Sequence, residues 1–393
     1  MEHGYSRSFP STLWGTRTGT GYRGTVNPEL DRLRRRPDLE APGLVAVDAA
    51  DRLILDESAS VREALGAGEV CVIGDAYGAL TLGAALAGAR EIRVHQDALT
   101  GERALAANAR DLSLADTYRS LPLAAELVSG TRVVLMRLPR SLDQLDDIAA
   151  VLAAHAAPEV TVFAGGRLKH MSLAMNEVLS RRFAHVDVTH ARQKSRVLVA
   201  RGPHDGADPS PRCDTHDGVT VCAYGGAFAA TSIDIGTRLL LEHLPAPPSA
   251  AAAIDMACGT GVVAAVWATR HPGSRVIASD QSAIAVASAR ATAVANGVDD
   301  RVEVVRDDLL GARPDGSADL IALNPPFHSG AAVTDRIAPR MFADAARVLR
   351  PGGELWTVWN SSLGYRSALE RTVGPTRQVA RNAKFTLTAS TRR

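Results

Sequence analysis

The chain has 393 residues, which at about 150 residues per domain implies two to three domains and a substantial core. Its formal charge is +1, with 46% apolar and 22% charged residues, proportions that exclude a disordered chain or a fibre. With no apolar run of about 18 residues and no secretion signal at the start, no membrane contact and a cytoplasmic location are expected.

Residues 1–43 are rich in Gly, Thr, Ser, Pro and Arg and poor in apolar positions. They read as a flexible tail, because burial cannot repay the entropy of ordering them, with Leu30 to Arg36 as the one stretch able to tie it down. The first half then alternates strands and helices. Strands are predicted at Glu69 to Ile73, Glu91 to His95, Arg132 to Leu138, Val160 to Ala164 and Arg196 to Ala200, and helices at Ala79 to Ala87, Gly101 to Ala109 and Ser172 to Phe183. Gly202 to Gly218 replaces apolar residues with Pro, Gly and Asp and reads as a linker.

The second half repeats the plan more clearly. Strands are predicted at Ala252 to Met256, Arg275 to Ser279, Val302 to Val305, Asp319 to Leu323 and Glu354 to Trp359. Helices are predicted at Val262 to Arg270, Ala283 to Asn296 and Arg336 to Leu349, the last stopped by Pro351-Gly352-Gly353. Gln378 to Arg381 and Phe385 to Ala389 form a closing hairpin around Asn382-Ala383. Strands alternating with helices predict a parallel sheet with right-handed crossovers. Cys71, Cys213, Cys222 and Cys258 are scattered without a C-x-x-C pair and read as reduced thiols; with no histidine pair at ligand spacing, no metal is expected.

Two motifs carry chemistry. In Asp255-Met256-Ala257-Cys258-Gly259-Thr260-Gly261, between a strand and a helix, Gly259 and Gly261 allow a tight turn and close backbone approach to a ligand at the helix N-terminus. Asp280, ending the next strand, can accept both hydroxyls of a ribose. This spacing alone also satisfies a dinucleotide-binding fingerprint, and a plain strand-to-helix turn would explain the glycines too. Asn324-Pro325-Pro326-Phe327, directly after an apolar strand, separates these readings, since a dehydrogenase has no use for it. The nitrogen of a planar amine is a poor nucleophile and needs acceptors for its two N–H groups. The Asn324 side-chain oxygen and the Pro325 carbonyl can be those acceptors, proline holds the backbone in one direction, and Phe327 offers a face on which a base can stack.

The second half thereby resembles class I S-adenosylmethionine-dependent methyltransferases. With His328 following Phe327, it is similar to the ribosomal RNA guanine-N2 methyltransferases, those of the large subunit ahead of those of the small. Ser232 to Arg238, Thr334-Asp335, Asn382 to Phe385, Leu138 to Leu142 and Ala164 to Arg167 support a resemblance running over roughly residues 45 to 390. It implies two tandem Rossmann-like α/β domains: residues 44–202 degenerate, non-catalytic and holding RNA, residues 203–218 a linker, and residues 219–393 catalytic with the terminal antiparallel hairpin. It further implies S-adenosylmethionine as cofactor, held by Asp255, Cys258, Gly259 and Gly261, with Asp280 on the ribose and Asp308 on the adenine amino group. Phe228 and Thr237 fall on a segment that covers it, while Asp234 suits a helix cap equally well. Asn324, Pro325, Pro326 and Phe327 are the implied catalytic residues, acting on a flipped guanine of 23S RNA.

The first half cannot repeat that chemistry. It has Asp75-Ala76-Tyr77-Gly78 in place of the glycine loop, His95-Gln96 near the Asp280 position, and Arg137-Leu138-Pro139 opposite Asn324-Pro325-Pro326, and an arginine accepts no hydrogen bond. Residues 160–201 carry a balance of +6 and residues 336–393 one of +8, suiting either a phosphate track or ordinary solvated faces. A monomer with ribosomal RNA as partner is expected. The rivals are adenine-N6, protein-glutamine or small-molecule N-methylation, and a non-catalytic RNA-binding assembly factor.

Overall fold

The computed structural model describes residues 27–246, 252–326 and 331–393, of which 331–336 are described as backbone only. The first half contains α1 (Ala49–Arg62), β1 (Val70–Ile73), α2 (Ala79–Leu86), β2 (Ile92–His95), α3 (Leu99–Asp111), β3 (Tyr118–Ser120) and α4 (Ala125–Val128). It continues with β4 (Val133–Arg137), α5 (Leu142–His155), β5 (Thr161–Arg167), α6 (Leu173–Ser180), β6 (Phe183–Val188) and β7 (Ser195–Pro203). A hairpin of β8 (Arg212–His216) and β9 (Val219–Ala223) follows. The second half contains α7 (Ile235–His243), β10 (Ala252–Met256), α8 (Val262–Arg270), β11 (Arg275–Asp280), α9 (Ala283–Ala295) and β12 (Val302–Arg306). It ends with β13 (Ala318–Leu323), α10 (Ala331–Val348), β14 (Leu349–Asn360), α11 (Arg366–Thr372), β15 (Thr376–Arg381) and β16 (Phe385–Thr391).

The halves share one topology. The sheets run β3-β2-β1-β4-β5-β7-β6 and β12-β11-β10-β13-β14-β16-β15, parallel except where β7 and β16 reverse direction. Central strands are apolar on both faces because helices cover both: every residue of β1 is buried, as are Ala253 to Met256 of β10. In such a sheet the strand order reverses between β1 and β4, and between β10 and β13, and at those points the loops after the strands part to leave a crevice. The closing hairpin of β15 and β16 forms as predicted.

Within the stretch expected to tie the tail down, Leu30 and Leu33 are buried in the first core, and Arg34 donates to and accepts from the carboxamide of Asn108. Two expectations are corrected. The 203–218 stretch is not all loop: Arg212 to His216 forms β8, whose polar sequence escapes an apolar criterion because all but its last residue are exposed. Cys213 and Cys222 are not free thiols but a disulfide, because the hairpin register sets them directly opposite each other. Smaller shifts follow local chemistry: Pro351-Gly352-Gly353 lies inside β14 rather than in a loop, and Phe183 opens β6 rather than ending a helix.

The β8–β9 hairpin is sealed by helix side chains acting as a substitute strand. Asn296 of the α9 cap accepts from the Thr220 N–H and donates to its carbonyl, and Thr292 of α9 does the same for Cys222. At the switch point of the first sheet, Arg137 ends β4 and pairs with Asp48 at 2.7 Å and Asp51 at 2.5 Å. Those carboxylates form the capping box of α1, and burial pushes Asp51 up to about 6 despite the opposing Arg137. Removing one partner leaves buried charge uncompensated, so Arg137→Ala is expected to lower stability in urea unfolding by about 3 kcal/mol; a loss under about 0.5 kcal/mol would show the clasp to be dispensable.

Candidate active site

Three turns at the carboxyl edge of the second sheet converge on one place. After β10 the chain turns sharply: Ala257, Gly259 and Gly261 all take positive φ, at 56°, 54° and 73°. The two glycines serve different ends. A Cβ at Gly261 would lie 2.7 Å from the Ala289 Cβ, so this glycine lets α8 pack against α9. A Cβ at Gly259 would meet nothing within 4 Å, which leaves open space over the loop for a ligand. Cys258 is buried beneath, where burial raises its thiol well above the ordinary value.

The acidic residues divide by partner. Asp255 is buried behind the loop and accepts the Ala264 N–H at 3.1 Å, tying the strand end to α8. Burial pushes its carboxyl up to about 7, the Ala264 N–H opposing and nearby Asp280 adding. Asp280 accepts the Gly259 N–H at 3.0 Å through one oxygen and the Ser282 N–H at 2.9 Å through the other. Each oxygen retains a lone pair, so two hydroxyls can still be accepted. Asp308 lies 3.4 Å from Arg103 of the first half, and burial raises its pKa above the ordinary value. Asp307 is taken up by its own turn, accepting from the N–H groups of Asp308 and Ala312.

The third turn carries Asn324. Its Nδ2 donates to Asp234 at 3.0 Å and to Thr237 Oγ1 at 2.9 Å, while its buried Oδ1 has no hydrogen-bond partner among the described residues. The orientation is forced, because a carboxylate only accepts and the amino end must face it. Asp234 caps α7 through the N–H groups of Gly236 and Thr237 and also takes the Thr237 hydroxyl, so it is a helix cap and the anchor of Asn324 at once. Pro325 is buried and Pro326 exposed beside it; Phe327 lies outside the described residues. Phe228 sits 52% exposed on the loop before α7, and Thr237 is placed against Asn324. Sequence reasoning missed the anchoring role of Asp234, though an Asp two residues before Gly236 at the start of an apolar helix carried the cap signal.

Arg137 of the first half occupies the topological position of Asn324 and is likewise gripped by the cap of a preceding helix. The clasp survives there with an arginine that offers only donors. A glycine cradle with open space, a ribose-type carboxylate beside it and a buried unpaired amide oxygen across the switch point fit a nucleoside cofactor next to a planar amine. A duplicated 3-2-1-4-5-7-6 fold carrying these features on its second half defines a class I methyltransferase.

Comparison with known proteins agrees. The family described as "Methyltransferase small domain" matches residues 218–389, and the "RLMG N-terminal domain" matches residues 25–204. The chain is 35% identical to ribosomal RNA large subunit methyltransferase G of Shewanella amazonensis, with 91% of this chain and 95% of that one covered. It is 37% identical to the protein of the same name from Streptomyces coelicolor, covering 90% and 96%. It therefore belongs to the ribosomal RNA large subunit methyltransferase G family. Its fold is also that of the T. thermophilus 16S rRNA N2 G1207 methyltransferase RsmC, solved with AdoMet and guanosine, at a TM-score of 0.70 and 20% identity over 88% of this chain and 92% of that one.

Two predictions follow from the loop. Gly259→Ala is expected to fold yet lose binding of S-adenosylmethionine in calorimetry, whereas Gly261→Ala is expected to lose about 2 kcal/mol of stability through overpacking on Ala289 and backbone strain; the reverse pattern would refute the division. Because Asp255 has a higher pKa folded than unfolded, its contribution is full below its ordinary value of 3.8 and lost as pH rises through about 7. Stability of the ligand-free chain should therefore fall by about 1 kcal/mol from this group between pH 6 and 8. Asp255→Asn should flatten that slope, and parallel thermal profiles would contradict the assignment.

Proposed function

We propose that this chain transfers a methyl group from S-adenosylmethionine to N2 of a guanosine in 23S ribosomal RNA. The observation that carries the reading is the buried Asn324 Oδ1, unpaired among the described residues while its amino end is held by Asp234 and Thr237. The exocyclic nitrogen of guanine carries two N–H groups and a lone pair delocalised into the ring. Asn324 Oδ1 accepts one N–H and the Pro325 carbonyl the other, drawing electron density toward nitrogen and turning its lone pair out of the ring plane as both bonds shorten. No strong base is needed, since the proton is lost to water once nitrogen has become cationic. Asn324 is rigid before substrate arrives, so little reorganisation accompanies the reaction.

S-adenosylmethionine supplies, when bound, a methyl group activated on a sulfonium. Asp280 holds its ribose, the Gly259 turn leaves room for it, Asp308 takes the adenine amino group, and Asp255, Cys258 and Gly261 shape the loop. Phe228 and Thr237 belong to the covering segment, and Phe327 stacks on the flipped base. Residues 219–393 form the catalytic unit, residues 44–202 hold RNA, and the chain acts as a cytoplasmic monomer. On the first half, Arg140, Arg167 and Lys169 crowd around exposed His170, whose pKa is lowered by desolvation and then by these cations, a setting suited to a phosphate. Both basic stretches spend part of their charge on ion pairs, Arg182, Arg192 and Arg201 in the first and Arg347, Arg350, Arg366 and Arg377 in the second. The names of the relatives, which specify large-subunit ribosomal RNA, support the substrate.

The test is nucleoside mapping of 23S RNA from a strain lacking the gene after treatment with pure protein and S-adenosylmethionine. One new N2-methylguanosine is expected, and N6-methyladenosine or no methylation would overturn the proposal. Asn324→Ala is expected to lower kcat about a hundredfold or more while S-adenosylmethionine affinity stays within about threefold; equal losses in both would remove Asn324 from its role.

A further inference from the structure

The inactive half reaches into the cofactor end of the active one. The turn after β2 (Gln96 to Ala98) and the turn after β11 (Gln281 and Ser282) lie against each other as a pseudo-symmetric pair joined by a bridge between Ala98 and Ser282. The Leu99 N–H, opening α3, donates to the Gln281 carbonyl at 3.0 Å, and the Ala283 N–H, opening α9, donates to the Asp97 carbonyl at 2.9 Å. Side chains repeat the exchange. The Thr100 hydroxyl donates to Gln281 Oε1 at 2.9 Å, while Asp97 Oδ1 accepts from the Ser282 hydroxyl and the Ile284 N–H, each at 2.9 Å. Arg306, ending β12, fastens the joint by donating to Glu102, to the carbonyls of Gln96 and Asp97 and to that of Gln281.

A helix start presents N–H groups that its own backbone leaves unpaired. Two of those opening α9, at Ala283 and Ile284, are taken by Asp97 of the other half, and the third, at Ala285, by Ser282. Ser282 is also the residue whose N–H donates to Asp280, the carboxylate that faces the glycine loop. A chain of direct bonds thus runs from Asp97 through Ser282 to Asp280 and on to Gly259.

We propose that Asp97, on the half without an active site, is a positioning residue for cofactor binding: it fixes Ser282 and the first turn of α9, and so holds Asp280 toward the cofactor ribose. This rests on the methyltransferase reading above. The inactive half is then a part of the cofactor site, and its attachment sets the affinity for S-adenosylmethionine separately from any contact with RNA.

The test uses the full chain. Calorimetric titration with S-adenosylmethionine is expected to give Asp97→Ala a Kd about tenfold above the parent, the effect of losing a good helix cap. KM for S-adenosylmethionine should rise equally, while kcat at saturation and KM for RNA stay within about twofold. Asp97→Asn, whose amide oxygen can still accept both bonds, should restore affinity to within about threefold. Asp143→Ala breaks the exposed 2.9 Å pair with Arg212 across the same interface and should leave affinity unchanged, since a loosened interface is not the cause. If Asp97→Ala is too unstable to titrate, Ser282→Ala, which removes the hydroxyl from the other side, should raise Kd at least about fivefold. The inference is overturned if Asp97→Ala binds within twofold of the parent, if kcat and both KM values worsen together, if Asp143→Ala weakens binding as much, or if Ser282→Ala, used in its place, leaves Kd unchanged. Failure of the parent itself to bind S-adenosylmethionine would instead count against the methyltransferase reading.

Discussion

A carboxylate can accept hydrogen bonds but not donate them, and that asymmetry decides which end of Asn324 faces the crevice. Asp234 already receives two backbone N–H groups as the cap of α7, so its hold on the Asn324 amino group is built on a helix end that must be capped in any case. The amide oxygen is left buried and, among the described residues, unpaired, which is costly in an ordinary interior. The geometry is over-determined by the helix cap, the Thr237 hydroxyl and the strand end, and in the proposed reaction a bound amine would recover the missing bond.

The first half preserves this clasp and discards its chemistry. Asp48 caps α1 as Asp234 caps α7, and the residue ending the neighbouring strand is again gripped, but there it is Arg137 between two carboxylates. Both terminal nitrogens of the arginine are spent on those carboxylates, and a guanidinium offers no acceptor. The scaffold constraint is the helix cap, which both halves share; the gripped side chain differs between them. The glycine loop is replaced by Asp75-Ala76-Tyr77-Gly78, where Tyr77 bonds to Asp38, while Asp75 accepts the N–H groups of Leu80 and Thr81 in the following helix much as Asp255 accepts that of Ala264.

The two halves nonetheless behave as one structure at the cofactor end. Each supplies carbonyl and side-chain acceptors to the first turn of the other's helix, so neither α3 nor α9 closes its own N-terminus without its neighbour. Arg103 extends the contact to Asp307 and Asp308, on the loop expected to meet the adenine. Coupled this way, the first half is joined to the carboxyl edge of the second sheet by backbone and side-chain bonds alike.

Much of this was legible from local pattern. Strands of four to six apolar residues bounded by turns, and helices with caps, produced the β10, α8 and β13 region almost to the residue, since buried parallel strands and amphipathic helices impose short-range periods. The glycine loop, Asp280 and Asn324 were visible because their residue types are unusual at strand ends. The β8–β9 hairpin with its disulfide and the joint through Asp97 were not, because each depends on partners that no local period records. The amino-acid sequence by itself determined the two-fold repetition of the α/β plan and which half keeps reactive residue types. Only the tertiary structure decided which atoms stay available: Asn324 and Asp234 lie 90 residues apart, and a hydrogen bond over that separation follows from how helix and strand pack, not from the spacing of residues along the chain.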